Sequence, residues 1–384
     1  MTRRAAGEGT VFKLPSGSWR AKITVDGKQY VKNAKTKSEA IKELDKLKSR
    51  AKKEKILVSE KVTVNEIFER LQEKKMRSRK KVYALSSLQR TESIYKTHVK
   101  DRIGSRDITK VTDKEINRIL DDAYNSDLGY TTLSKIYSCI KQIFDLAVRQ
   151  KYILKHDNPM MVVEPFSAAV FDDNGRNDEI VYLTEKEREK LKQAALTRCK
   201  NGNLKYRYGT VFVLMLQTGM RAGEVCALTW ESVDFEKGLI AVNSTVTYVR
   251  DDQKKWVAKI QKNPKTDRSR RHIPINQTAR EMLELMKEIY GDKKYVVVSS
   301  TGSILPPSRL GLAFETVLKA AGITDKKGTH ILRHTFATAL ITGGTPLPVI
   351  SSLLGHAGTA VTERHYARII DQVKAQALEN IGEI

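Results

Sequence analysis

The sequence predicts a multidomain protein, mainly α-helical with small β-sheets. Three observations carry this. Apolar residues recur at helical spacing through most of residues 63–160. Short β-type runs separated by turn residues stand near the N-terminus and again over residues 239–274. A stretch rich in Pro, Gly, Asn and Asp, residues 165–178, has the composition of a linker. A chain of 384 residues suffices for two or three domains, and we place them at 1–58, 62–164 and 178–384.

In the first segment, β-type runs lie around Gly9–Lys13, Ser18–Val25 and Lys28–Lys32. Pro15-Ser16-Gly17 makes the first turn. Asp26-Gly27 is a strong two-residue hairpin signal. Thr36 and Glu39 then have capping-box spacing, and Ala40, Ile41, Leu44 and Leu47 form an apolar stripe. The charged run Lys48–Lys55 extends that helix and passes into a linker. In the second segment Ile67, Phe68 and Leu71 mark one helix, and Leu85, Leu88, Ile94, Tyr95 and Val99 a second. Thr112 with Glu115 opens a third, carrying Ile116, Ile119 and Leu120. Leu133, Ile136, Ile140, Ile143, Phe144 and Ala147 mark a fourth. The third segment opens on another capping box, Thr184 with Glu187. It is expected to mix helices with strands at Leu239–Val249, Val257–Ile260 and Arg271–Pro274.

Charge narrows the function. There are 69 basic against 45 acidic residues, a net charge of +24, which favours a polyanionic partner, nucleic acid before an anionic membrane. Residues 1–58 hold 16 Lys and Arg against 6 Asp and Glu. A lysine-rich solvated helix would explain Lys42 to Lys55. It would not explain the basic strands (Lys13, Arg20, Lys22, Lys28, Lys32), whereas a sheet lying in a DNA groove explains both. No apolar run approaches the roughly 20 residues that span a bilayer, and the N-terminus lacks a signal-peptide core, so a cytoplasmic protein without membrane contact is expected. Cys139, Cys199 and Cys226 form no Cys-x-x-Cys pair and read as small buried apolar residues, with neither a disulfide framework nor a metal site.

The chemistry-bearing residues converge on a phosphodiester. An apolar helical run, Val211 to Leu216, stops at Thr218-Gly219. Arg221 follows, with Glu224 three residues on to orient it. His330 and Arg333 are also three apart, on a helix whose flanks are apolar. A buried arginine must be paired, and a phosphate held between Arg221 and Arg333 would pair it. His334 is expected to point elsewhere and to be structural. Leu354-Gly355 looks like a helix stop that leaves His356 just beyond it, and Thr359 opens a short helix carrying Tyr366. Lys262, Lys265, Arg268, Arg270 and Arg271 crowd one loop between strands. It is either a plain backbone-binding loop or one that sends a lysine, Lys265, to the scissile phosphate.

With these residues in order, the chain resembles a tyrosine recombinase of the phage and transposon integrase type. The matching positions are Arg221 in TGMRAGEV, Lys265 in NPKTDRSRR, His330 and Arg333 in HILRH, His356 in LLGH and Tyr366 in ERHYA. The match is strong over residues 178–384, where it implies a mixed α/β catalytic domain. The other two segments match by layout: 62–164 as the core-site DNA-binding domain and 1–58 as the arm-type DNA-binding domain. The resemblance implies a site-specific integrase, a DNA strand transferase that integrates or excises a mobile element. It would pass through a 3′-phosphotyrosine intermediate and a Holliday junction, as a homotetramer on synapsed double-stranded DNA.

In that chemistry Tyr366 attacks, and His330 takes or shares its proton. Lys265 (or its neighbour Lys262) protonates the leaving 5′-oxygen. Arg221 and Arg333 neutralise the phosphate, to which His356 adds a hydrogen bond. Neither cofactor nor metal is required. A DNA-bending protein and an excisionase are the accessory partners left open. The tail Ala375–Ile384 has the spacing of a short helix that docks on a neighbouring protomer or packs in cis. Two alternatives remain at this point: a type IB topoisomerase-like relaxing enzyme, and a DNA-binding regulator without catalysis.

Overall fold

A computed structural model describes residues 9–25, 28–54, 61–79, 82–173, 180–251, 253, 255–262, 270–291, 293–356 and 358–379. The chain divides into two compact units, Met1–Asn177 and Asp178–Ile384.

The first unit opens with a three-stranded antiparallel sheet, β1 (Thr10–Lys13), β2 (Trp19–Val25) and β3 (Lys28–Ala34), in that spatial order. The register pairs Arg20 with Phe12 and Asn33, and Lys22 with Thr10 and Val31. Strand alternation therefore sends Ala21 and Ile23 to one face and Arg20 and Lys22 to the other. The first face is closed by α1 (Lys37–Glu54) through Leu44 and Leu47. Thr36 and Glu39 form the expected reciprocal cap. Ile41 departs from the expected stripe: it is exposed, because Ala40, Leu44 and Leu47 already fill the contact with the sheet. The Asp26-Gly27 turn lies outside the described residues.

A helical assembly follows: α2 (Val64–Met76), α3 (Leu85–Ile94), α4 (Asp113–Asn125) and α5 (Tyr130–Arg149). Capping boxes at Thr63–Glu66 and Thr112–Glu115 open α2 and α4. The stripe expected for the second helix holds except at Leu85, which is exposed. It also crosses a change of geometry, since α3 widens into a π-helical stretch over Tyr95–Gly104. Tyr95 stacks on Phe68 and donates to Asn65. The core is centred on α5, whose Ile136, Ile140, Ile143 and Phe144 are fully buried. The stretch expected to be a linker carries α6 (Ala169–Asp173), and Phe166 and Phe171 pack with Tyr124 against this core. Pro, Asn and Asp obscured two aromatic anchors in that composition.

The second unit is built around α8 (Gly209–Thr218), preceded by α7 (Glu185–Ala195) with its Thr184–Glu187 cap. From Val211 to Met215 every side chain of α8 is buried, as expected of a helix apolar on all sides. The short α9 (Ala222–Ala227) follows. The strands form two sheets rather than one: β4 (Val233–Asp234), β5 (Leu239–Val242) and β8 (Arg271–Pro274) in the order β4-β5-β8, and a separate hairpin of β6 (Ser244–Arg250) with β7 (Trp256–Lys262). The run expected as a single strand, Leu239–Val249, breaks at Asn243, so its halves pair with different partners. Helices α10 (Gln277–Tyr290), α11 (Pro307–Ala320), α12 (His330–Thr342), α13 (Leu347–Leu354) and α14 (Thr359–Glu379) complete the unit. Cys139 and Cys226 are buried as expected, but Cys199 is exposed in a turn. Among the described residues no helix is long and apolar enough to cross a membrane, and no cluster of His, Cys, Asp or Glu could hold a metal ion.

Candidate active site

Helix α8 ends on Gly219, in the left-handed region at φ 61°. A Cβ there would lie 2.4 Å from the Phe336 ring, so both backbone and packing require glycine. This stop places Arg221 at the N-cap of α9. Its backbone N–H donates to Glu224 Oε2 at 2.8 Å and its guanidinium to Oε1 at 2.9 Å, as the three-residue spacing suggests. Arg221 remains partly open, while Glu224 is buried.

Glu224 has a second partner that the spacing does not reveal. Arg271 of β8 is buried and donates to both Glu224 oxygens, at 3.2 and 2.8 Å, and through Nε to the Leu353 carbonyl at 2.6 Å. The sequence counted Arg271 in a basic loop between strands as well as at the start of the strand Arg271–Pro274. In the fold it ties β8, α9 and the end of α13 together. Burial alone would raise the Glu224 carboxyl. The hydrogen bonds and charge of Arg271, with the charge of Arg221, outweigh it and hold that carboxyl at about 2.

Arg333 is buried on α12. It donates to the Gly219 carbonyl at 2.9 Å and the Leu354 carbonyl at 2.6 Å. Two helix ends, those of α8 and α13, thus satisfy part of a guanidinium whose five N–H groups leave others for an anion. Burial, then the neighbouring Arg221 charge, pull its pKa down to about 9, which still leaves it cationic at neutral pH.

His330 and His334 share the face of α12 that carries Arg333. Their rings meet edge-to-face at 5.7 Å. His334 does not point elsewhere: positions i, i+3 and i+4 of a helix share one face, and its Nδ1 lies 2.9 Å from the Tyr366 hydroxyl. Burial, with the charges of Arg333 and Arg221, lowers the His330 pKa. Burial, followed by His330, Arg333 and His365, takes His334 to about 4.

His356 follows the left-handed Gly355, where α13 stops. Its Nδ1 lies 2.8 Å from Thr362 Oγ1, and burial with the Arg333 and Arg221 charges takes it to about 4. Thr359 is the first helical residue of α14, which runs beyond the short helix expected, to Glu379. It bends at Tyr366, whose φ/ψ of −113°/19° is not helical. The Tyr366 ring is 2% exposed, packed with Ile341, Ile350 and Leu354. Burial raises its pKa to about 12, against the pull of Arg333 and Arg221. After the bend, Ile369, Ile370 and Val373 pack in cis on the same cluster.

Arg221, His330, Arg333, His356 and Tyr366 therefore gather in one unit, close enough for the arginine charges to act on the other three groups. Lys265 and Arg268 lie outside the described residues, as does the side chain of Lys262. Two cationic guanidiniums, neutral imidazoles and a buried phenol have the chemistry to receive one oxyanion beside a nucleophile. Sequence reasoning missed His334 and Arg271. The i+4 offset from His330 would have found the first. Nothing local points from Arg271 to a carboxylate 47 positions away.

Residues 181–372, half of the chain, match the phage integrase family. A tyrosine recombinase XerC-like protein of Caldanaerobacter subterraneus subsp. tengcongensis is 27% identical over 314 residues, covering 76% of each chain. Among solved structures, the Tn1549 transposon integrase in complex with transposon right end DNA is similar at a TM-score of 0.65 and 22% identity, over 84% of this chain and all of that one. A lambda integrase tetramer bound to a Holliday junction is similar at a TM-score of 0.56 and 18% identity, over 93% of this chain and 94% of that one. These structures share the fold.

Proposed function

Because the chain belongs to the phage integrase family of tyrosine recombinases, enzymes of DNA strand exchange, we propose that it is a site-specific integrase that moves a mobile element into and out of DNA. The observation that carries this is the burial of the Tyr366 hydroxyl within the field of Arg221 and Arg333, all on one protomer.

Arg221 and Arg333 bind the non-bridging oxygens of the scissile phosphate, with His356 adding a hydrogen bond. A neutral imidazole takes the Tyr366 proton as the phenol oxygen attacks phosphorus. The 5′-oxygen leaves with a proton from Lys265. The resulting 3′-phosphotyrosine keeps the energy of the broken bond, so a 5′-hydroxyl of a partner duplex can reverse the step. Each positioned acid or base contributes about 10²–10⁴-fold, and each arginine donor about 10²–10³-fold. Of the remaining modules, residues 62–164 hold the core site. The sheet of residues 1–58 holds an arm site with the face bearing Arg20 and Lys22, between the exposed Phe12 and Val31. Bridging two sites from one chain raises avidity through effective concentration. Four protomers on two duplexes complete the assembly, and a bending protein and an excisionase stay open as accessory partners. A tetramer on a Holliday junction is known for the similar lambda integrase.

Tyr366→Phe is expected to bind a duplex built from the DNA flanking the gene but to form no covalent adduct on a denaturing gel. If the unaltered protein also forms none, the enzymatic reading fails. Lys265→Ala should slow cleavage of normal DNA far more than cleavage of a duplex with a 5′-thiolate leaving group, which needs no acid. Equal slowing on both would remove the general-acid role.

A further inference from the structure

We propose that His334 is a catalytic residue of this site, accepting the proton of Tyr366 as the tyrosine attacks the phosphodiester. The proposal rests on the recombinase chemistry given above and moves to His334 the proton that the family resemblance gave to His330. Its ground is contact. Among the described residues, the one hydrogen bond recorded for the Tyr366 hydroxyl is to His334 Nδ1, at 2.9 Å. With the imidazole proton on Nε2, Nδ1 is an acceptor and the phenol donates.

The surroundings hold this contact in place. His334 lies on α12 between Arg333 and Thr335. Arg333 is pinned by the Gly219 and Leu354 carbonyls, and Thr335 Oγ1 accepts the backbone N–H of Leu183 at 2.9 Å. The partner ring is fixed by the bend of α14 at Tyr366 and by the apolar cluster around it. Both members of the pair are thus placed by the fold before DNA arrives.

The electrostatics explain why the pair is inert without substrate and active with it. In the free protein burial pushes the Tyr366 phenol up to about 12 and the His334 imidazole down to about 4, and both shifts disfavour moving the phenol proton onto the imidazole. Burial and the neighbouring cationic and titratable groups (His330, Arg333 and His365) hold His334 down. A phosphodiester seated between Arg221 and Arg333 brings a negative charge that offsets the arginine field. The imidazole becomes more basic only when there is a phosphorus to attack. As the Oη–P bond forms, the hydroxyl proton passes to Nδ1. The P–O5′ bond breaks, and the leaving oxygen takes its proton from Lys265. On rejoining, the imidazolium returns the proton to the tyrosine.

The test combines two readouts on full-length protein. In the first, 3-fluorotyrosine at position 366 is titrated by ¹⁹F NMR without DNA. His334→Gln and His334→Ala are expected to move its resonance and titration midpoint. An unchanged spectrum in both overturns the contact. In the second, single-turnover adduct formation is followed on a nicked duplex built from the DNA flanking the gene. Both variants are expected to bind as the unaltered protein does and to cleave about 10²–10⁴-fold more slowly. Trifluorotyrosine at position 366, a phenol that ionises near neutral pH, should restore at least about tenfold of that loss. It should restore nothing in Arg333→Ala. Glutamine keeps the volume and can accept a hydrogen bond but cannot take a proton. Cleavage by His334→Gln at the unaltered rate, or a loss that the acidic phenol does not relieve, overturns proton transfer to His334. Absence of any adduct from the unaltered protein overturns instead the recombinase reading on which the proposal stands.

Discussion

The helical core of the first unit and the arginine-centred core of the second are both closed to water, yet they hold different groups. Around α5 the packing is aliphatic and aromatic, and Asn158 is the one polar residue of that unit found buried among the described residues. In the second unit Glu224, Arg271 and Arg333 are buried together with six threonines and serines. Burying ions costs several kcal/mol each unless they are paired and hydrogen-bonded. The second unit meets that cost with the Glu224–Arg271 pair and with carbonyls at the ends of α8 and α13. The helical core of the first unit holds no buried ion among the described residues. The second keeps buried charges that a purely apolar core would omit, as the proposed phosphodiester site requires.

Glu224→Gln is the sharpest way to test this contrast. It leaves Arg271 buried without its carboxylate and should cost about 3–5 kcal/mol in chemical denaturation. It also loosens Arg221, so adduct formation should slow even where the protein is fully folded. Phe144→Ala should cost a similar ~3–5 kcal/mol by opening a cavity in the first unit, but leave the rate of the cleavage step unchanged below the melting range. If both substitutions alter cleavage alike, the contrast between a supporting core and a charged core breaks down.

Acidification gives a smaller effect in the same direction. His330, His334 and His356 have lowered pKa values in the folded state, about 4 for the last two. Between about 6.5 and 4 the unfolded chain therefore binds more protons than the folded one, and stability falls as pH falls through that window. Glu224, held at about 2, adds a further loss between 4.5 and 2. Hydrogen exchange followed by mass spectrometry should show the helices around the site opening before α5 does, and bound DNA should delay that opening.

Much of this was legible in the sequence where the determinants are local. The capping boxes at Thr36, Thr112 and Thr184, the glycine stops at Gly219 and Gly355 and the Arg221–Glu224 spacing each involve residues within a turn of one another. Arg333 was legible as a buried cation because its helix is apolar on both sides. What escaped depends on residues far apart in the chain. The Arg271–Glu224 pair requires β8 to lie beside α9. The split of residues 239–250 at Asn243 depends on which neighbour each half meets, and Phe171 depends on a gap beside Tyr124. The part His334 plays was hidden for another reason: the bend at Tyr366 decides which way the phenol reaches, and periodicity does not encode a bend.

That bend has a consequence for how this chain can change over time. A residue inserted or deleted between Thr359 and Tyr366 would turn the phenol by about 100° around the helix axis. The hydroxyl would then leave His334 and the two arginines together, and no compensating substitution on α12 could follow it. The length of this segment is therefore as fixed as the identity of its tyrosine. Changes in length should collect instead in exposed turns such as residues 200–203, where a longer loop costs only a little closure entropy.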